Sequence, residues 1–121
     1  QLVRELRIDA HVSSETLSLG MVEELKRLEP FGAGNPKPVF VTKDLMIDGE
    51  PFVMKEKHLK LKLVGGRGKR FEAVWWDGVE RSRKRTLKRG NGIELAYTPE
   101  TNVWQGTTRL QLVVEDLREH N

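Results

Sequence analysis

Leu59, Leu61 and Leu63 alternate with His58, Lys60 and Lys62, the two-residue period of a strand with one face in a core and the other in water. The pattern predicts a strand over residues 58–64. The same period recurs less cleanly around it. Residues 39–47 read as an earlier strand that stops at Asp48-Gly49-Glu50-Pro51. Residues 70–76 read as a later one, joined to 58–64 as a hairpin by the turn signal Gly65-Gly66-Arg67-Gly68-Lys69. Residues 79–89 are polar and read as a short helical or loop element anchored by Leu87, ended by Gly90-Asn91-Gly92. Residues 93–98 and 108–117 form the last strand pair, joined by a loop containing Asn102, Trp104 and Gly106.

Upstream, Leu6, Ile8, Ala10 and Val12 alternate with Arg7, Asp9 and His11, a strand interrupted by Ser13 and Ser14. Leu17, Met21, Leu25 and Leu28 then recur at helical spacing, with Glu23, Glu24, Lys26 and Arg27 largely opposite. Ser18 is placed to cap this helix, Gly20 weakens its first turn and Pro30 stops it. Such a strand and helix are too small to fold alone. They either pack on the domain that follows or end one that precedes. Between helix and barrel, Pro30, Pro36 and Pro38 fix φ and remove backbone donors, while Gly32 and Gly34 permit angles other residues resist. The chain thus divides into a lead-in (1–29), a Pro/Gly connector (30–38) and a mainly β domain (39–121). Three strands, a short helical element and two strands is the order of an OB-fold, a five-stranded partly open barrel. An SH3-like barrel fits the strand count nearly as well, and the charged element after the third strand favours OB.

With 121 residues the chain supports one domain with a modest core plus an appended element. It contains no cysteine, which excludes disulfides and thiolate metal sites and fits a reducing, cytoplasmic setting. No apolar run approaches the ~20 residues of a membrane span. The chain opens at Gln1 and not at Met, as a piece cut from a longer polypeptide or a processed chain would. Its net charge of +3 conceals a strong asymmetry. Residues 53–92 hold 13 Lys and Arg against four acids, whereas the remainder holds eight against 14. A field of that kind is felt locally, whatever the average.

The three histidines are isolated, and no Gly-x-Ser-x-Gly, Gly-Lys-Ser/Thr or metal-ligand spacing occurs. No catalytic or metal-binding residue is expected, since Asp44 with Asp48 and Glu115 with Asp116 read as surface acids at strand ends. The basic region points to phosphate binding instead. Lys60 and Lys62 share the solvent face of their strand. Arg67, Lys69 and Arg70 lie at the adjacent turn. Arg81, Arg83, Lys84, Arg85, Lys88 and Arg89 crowd the element that follows. Bases would stack on aromatic side chains. Trp75 and Trp76 must face opposite ways on a strand, and apolar neighbours on both faces leave the register open. The reading leans to Trp76 inward and Trp75 on the groove or at its rim, either as a partly buried structural side chain or as a stacking platform. Trp104 falls in a loop, where it engages a ligand or caps the barrel end.

Leu28-Glu29-Pro30-Phe31-Gly32 followed by Gly34-Asn35-Pro36, in front of a small β domain, resembles the C-terminal part of RecJ-type single-strand-specific exonucleases. Ile8-Asp9-Ala10, the leucine-rich helix, His58-Leu59-Lys60-Leu61, residues 72–76 and residues 110–117 are similar too, so the resemblance covers nearly the whole chain. It implies an OB domain that helps hold single-stranded DNA, placed after a DHH phosphoesterase core and its DHHA1 companion. The family's bacterial members degrade single-stranded DNA from the 5′ end with Mn²⁺ or Mg²⁺ in recombination and repair. The DHH ligands and the companion's glycine-rich His motif do not occur in this sequence, so no catalytic residue carries over and the chain itself is not expected to be an enzyme. The DNA-binding role carries over to the basic and aromatic positions above. Pro30, Phe31, Gly32, Gly34, Asn35 and Pro36 would set the angle between barrel and nuclease core. The implied partners are single-stranded DNA, the upstream core and a single-strand-binding protein. The rival reading is an interaction or scaffolding module whose basic surface docks the acidic tail of such a protein.

Overall fold

A computed structural model of the chain describes residues 7–27, 37–82, 87 and 89–120. Among these the elements are β1 (Ala10–His11), α1 (Leu19–Lys26), β2 (Phe40–Ile47), β3 (Phe52–Met54), β4 (His58–Val64), β5 (Arg70–Trp75), α2 (Gly78–Arg81), β6 (Gly92–Trp104) and β7 (Thr107–Glu119). β2 pairs antiparallel with both β4 and β6, β4 with β5, and β6 with β7. A parallel contact between β5 and β7 closes the ring. This is the five-stranded OB barrel expected from the order of elements. No helix among the described residues is long and apolar enough to cross a membrane.

Alternation builds the core. Leu59, Leu61 and Leu63 of β4 point inward and meet Trp75, Ala73 and Phe71, their cross-strand partners on β5. Ile93, Leu95 and Tyr97 of β6 and Leu112, Val114 and Leu117 of β7 complete the wall with Phe40, Leu45 and Ile47 of β2. A register shift between Thr42 and Leu45 lets both face inward although they are three residues apart. The Thr42 hydroxyl there shares a 2.7 Å hydrogen bond with the Tyr97 hydroxyl. Burial pushes the Tyr97 pKa up to about 12, against the smaller opposing effect of that bond, so the phenol stays neutral.

The two adjacent tryptophans reverse the orientation expected for them. Trp75 is 1% exposed and lies in the core, whereas Trp76, just past the strand end, is 50% exposed. Phe71, Ala73 and Trp75 form the face that matches the β4 leucines. The apolar residue that obscured this in the sequence is Val74, which is buried on the outer side of the sheet beside Val113. Trp75 therefore cannot stack on a ligand. Its Nε1–H is buried with no partner among the described residues.

The last two strands are longer than expected. β6 runs to Trp104 and β7 starts at Thr107, so the expected loop shrinks to Gln105 and Gly106. Both have positive φ, 49° and 78°, the requirement of a type I′ hairpin turn. β3 was not expected at all. It adds to β4 through Phe52↔Lys60, Val53↔Leu59 and Met54↔His58.

The lead-in packs on the barrel. β1 runs parallel to β2, and Asp9 binds Val39 twice: its amide donates to the Val39 carbonyl at 2.7 Å, and its carboxylate accepts from the Val39 amide at 2.8 Å. Ser18 caps α1 as expected by accepting from the Met21 amide at 3.1 Å. Leu17 and Val22 are buried, with Met21 and Leu25 partly so. Lys26 Nζ donates to the Thr101 hydroxyl at 2.6 Å, tying the helix to β6. Leu28 and the stop at Pro30 lie outside the described residues, as do Phe31, Gly32, Gly34, Asn35 and Pro36. Leu87 is buried, consistent with its role as an anchor after α2.

Candidate nucleic-acid interface

Strand registers define the outer face of the sheet β3–β4–β5–β7–β6 without ambiguity, because paired residues share a face. One row across it is Phe52, Lys60, Val74, Val113 and Thr98. The next is Lys62, Glu72, Gln111 and Glu100, and beyond it come Arg109 and Asn102, then Thr107 and Trp104. At the opposite end lie Met54 and His58, with the Trp76 ring edge-on to the His58 ring at 5.0 Å between centroids.

Of the cations expected to contact phosphate, Lys60 and Lys62 stand on this face, exposed and without an ion pair or side-chain hydrogen bond among the described residues. Arg70 reaches the end of the face but is paired with Asp48. Arg67 and Lys69 are drawn away to the lead-in: Arg67 sits 3.5 Å from Glu15, and Lys69 Nζ donates to the carbonyls of Leu17 and Glu15. Arg81 donates to the Glu115 carbonyl at 2.6 Å, and Arg89 is exposed near the turn into β6. Arg83, Lys84, Arg85 and Lys88 lie outside the described residues. The described cations thus do not share one continuous trough. A two-lysine centre is flanked by committed arginines.

Trp104 is on the face, though as the last residue of a strand and not in a loop. It is 53% exposed, and the Arg109 guanidinium lies 4.9 Å from its ring centre. Phe52 and Arg109, about which the sequence raised no expectation, join it, as does Trp76, which was expected to face inward. Phe52 is 62% exposed directly across from Lys60, Trp76 is half exposed, and Arg109 sits diagonal to Trp104. A signal for Arg109 was present: reading Gln105-Gly106 as a two-residue turn pairs Trp104 with Thr107 and puts Trp104 and Arg109 on one side. Phe52 carried little signal, since three residues show no period.

The face is mixed in charge. Glu100 pairs with Lys37 at 3.2 Å, whereas Glu72 is exposed and free among the described residues. No group of three His, Asp or Glu able to hold a metal occurs among the described residues. Asp44 is committed to Ser14, accepting from its amide at 3.0 Å and its hydroxyl at 2.6 Å.

A closed five-stranded barrel that offers the outer face of its central strands and two flanking hairpins defines an OB-fold domain. The chain belongs to the RecJ OB domain family, whose model matches residues 8–116, β1 and α1 included. It is similar to RecJ from Thermus thermophilus in complex with Mn²⁺, with 26% identity and a TM-score of 0.58 over 84% of this chain and 14% of that one. For the Mg²⁺ complex the values are 25% and 0.53 over the same shares. The chain therefore spans about 14% of the length of those RecJ chains. The mitochondrial single-stranded DNA binding protein of S. cerevisiae shares the fold at 12% identity, with a TM-score of 0.55 over 69% of this chain and 92% of that one. No curated protein sequence matches the chain.

Proposed function

We propose that this chain binds single-stranded DNA through the outer face of β3–β4–β5–β7–β6, as the OB segment of a RecJ-like 5′-to-3′ exonuclease of DNA recombination and repair. The observation that carries the reading is the pair of uncommitted lysines, Lys60 and Lys62, set among exposed Phe52, Trp76 and Trp104 on one sheet face. Lysines neutralise phosphates and release counterions, while aromatic rings stack bases of any sequence. Membership of the RecJ OB domain family supports the placement. Chemistry, and the Mn²⁺ or Mg²⁺ it needs, belongs in this reading to an upstream nuclease core. Residues 1–29 lead in from that core, 30–38 set the angle of the barrel against it, and 39–121 form the barrel.

Lys60→Glu with Lys62→Glu weakens oligo(dT) binding and lowers the salt slope by about 1.4, at roughly 0.7 for each phosphate no longer neutralised. Titration of a labelled oligonucleotide at several ionic strengths reads both. An unchanged slope in a folded double variant defeats the proposal. Tryptophan quenching by an acidic peptide but not by bare DNA would identify the surface as a dock for an acidic tail instead.

A further inference from the structure

Phosphate binding alone gives no reason for Glu72. Its carboxylate stands in the middle of the face, across from Lys62 on β4 and from Gln111 on β7. It is exposed, and neither it nor the Gln111 side chain has an ion pair or hydrogen bond among the described residues. Its counterpart at the far side of the row, Glu100, is neutralised by Lys37. The nearest arginine along β5, Arg70, is held by Asp48. Glu72 is thus an unpaired acceptor on a surface read as meeting polyanions. Such a group either repels the backbone or faces something that donates.

Resting on the DNA-binding reading, we propose that Glu72, with Gln111 beside it, reads the edge of a base held on this face, so that the site favours bases with an exocyclic amino group over thymine. An ionised carboxylate only accepts hydrogen bonds. Cytosine offers it the N4 amino group, and adenine the N6 amino group. Thymine places the O4 carbonyl where cytosine has that amino group, so the same approach sets oxygen against oxygen. Gln111 can donate to a ring acceptor next to the amino group while Glu72 accepts from it. Lys60 and Lys62 on β4 then take the phosphates on the other side of the row.

The test compares oligo(dC) and oligo(dT) of equal length with the full chain, near neutral pH and at one ionic strength. Both are pyrimidines, and the contrast isolates the 4-position. The wild-type chain should bind oligo(dC) about fivefold more tightly, the low end of what a good base contact discriminates. Glu72→Gln, an exposed and isosteric change, should tighten oligo(dT) and bring the ratio near one. Equal affinities in the wild type, or a ratio untouched by Glu72→Gln, overturn the inference and leave DNA binding standing. Failure to bind either oligonucleotide overturns the DNA-binding reading and this inference with it.

Discussion

Ser14 shows how much one residue can hold together in this fold. Its buried hydroxyl donates to Asp44 and accepts from the Gly66 amide at 2.8 Å, so positions 14, 44 and 66 meet at one oxygen. A Cβ added at Gly65 would fall 2.4 Å from the Ser14 Cβ and 2.5 Å from its hydroxyl. The hydroxyl cannot retreat without losing both partners. Gly65→Ala should therefore cost about 1–3 kcal/mol, the range for overpacking, read as a lower denaturation midpoint in urea. Nothing in the sequence marked this position beyond its place in a glycine-rich turn. The contact joins residues far apart in the chain, and periodicity reports only neighbours. Trp75 and Trp76 show the complementary difficulty: the local pattern was present but equivocal, because Val74 is apolar on a face that is outer yet covered.

Elements were legible in proportion to how one-sided they are. β4 has leucines within and lysines without, and its bounds match the expectation over 58–64. Ser18 announced α1 because capping is a local hydrogen bond. β6 and β7 were read short because Pro99, Asn102 and Gly106 look like loop residues, whereas cross-strand pairs continue without a break from Thr98↔Val113 to Trp104↔Thr107, and those from Thr101↔Leu110 onward run past the contact with β5 that closes the barrel. That extension is what carries Trp104 and Arg109 out to the face. Because Trp104 stands at the exposed tip, Trp104→Ala should leave thermal unfolding nearly unchanged. It should weaken oligonucleotide binding by about 1–3 kcal/mol, as loss of one stacked base does. A fluorescence-anisotropy titration beside a melting curve separates the two effects.

At the scale of the molecule, β1 and α1 are held to the barrel by backbone pairing, buried side chains and a lysine contact. The Asp9 carboxyl sits below the usual carboxylate range, first because the Val39 amide donates to it and then because Arg7 pairs with it, against a desolvation effect that raises it. A depressed folded-state value means that its stabilisation is present above the ordinary carboxylate pKa and fades as pH falls through the lowered one. Asp9→Ala should accordingly weaken hydrogen-exchange protection across β1 at neutral pH, and the gap from wild type should close under acid. A gap that stays constant with pH would show that the ionised carboxylate does not hold the lead-in. The β3 edge of the sheet carries its own consequence. β3 is three residues long, begins just after Pro51, and gives way to Lys55 and Glu56, both at positive φ. So short and bent a margin, with Pro51 before it and Lys55 and Lys57 after it, is a poor template for another copy's strand. Such a margin disfavours strand-to-strand stacking beside the exposed rings of Phe52 and Trp76.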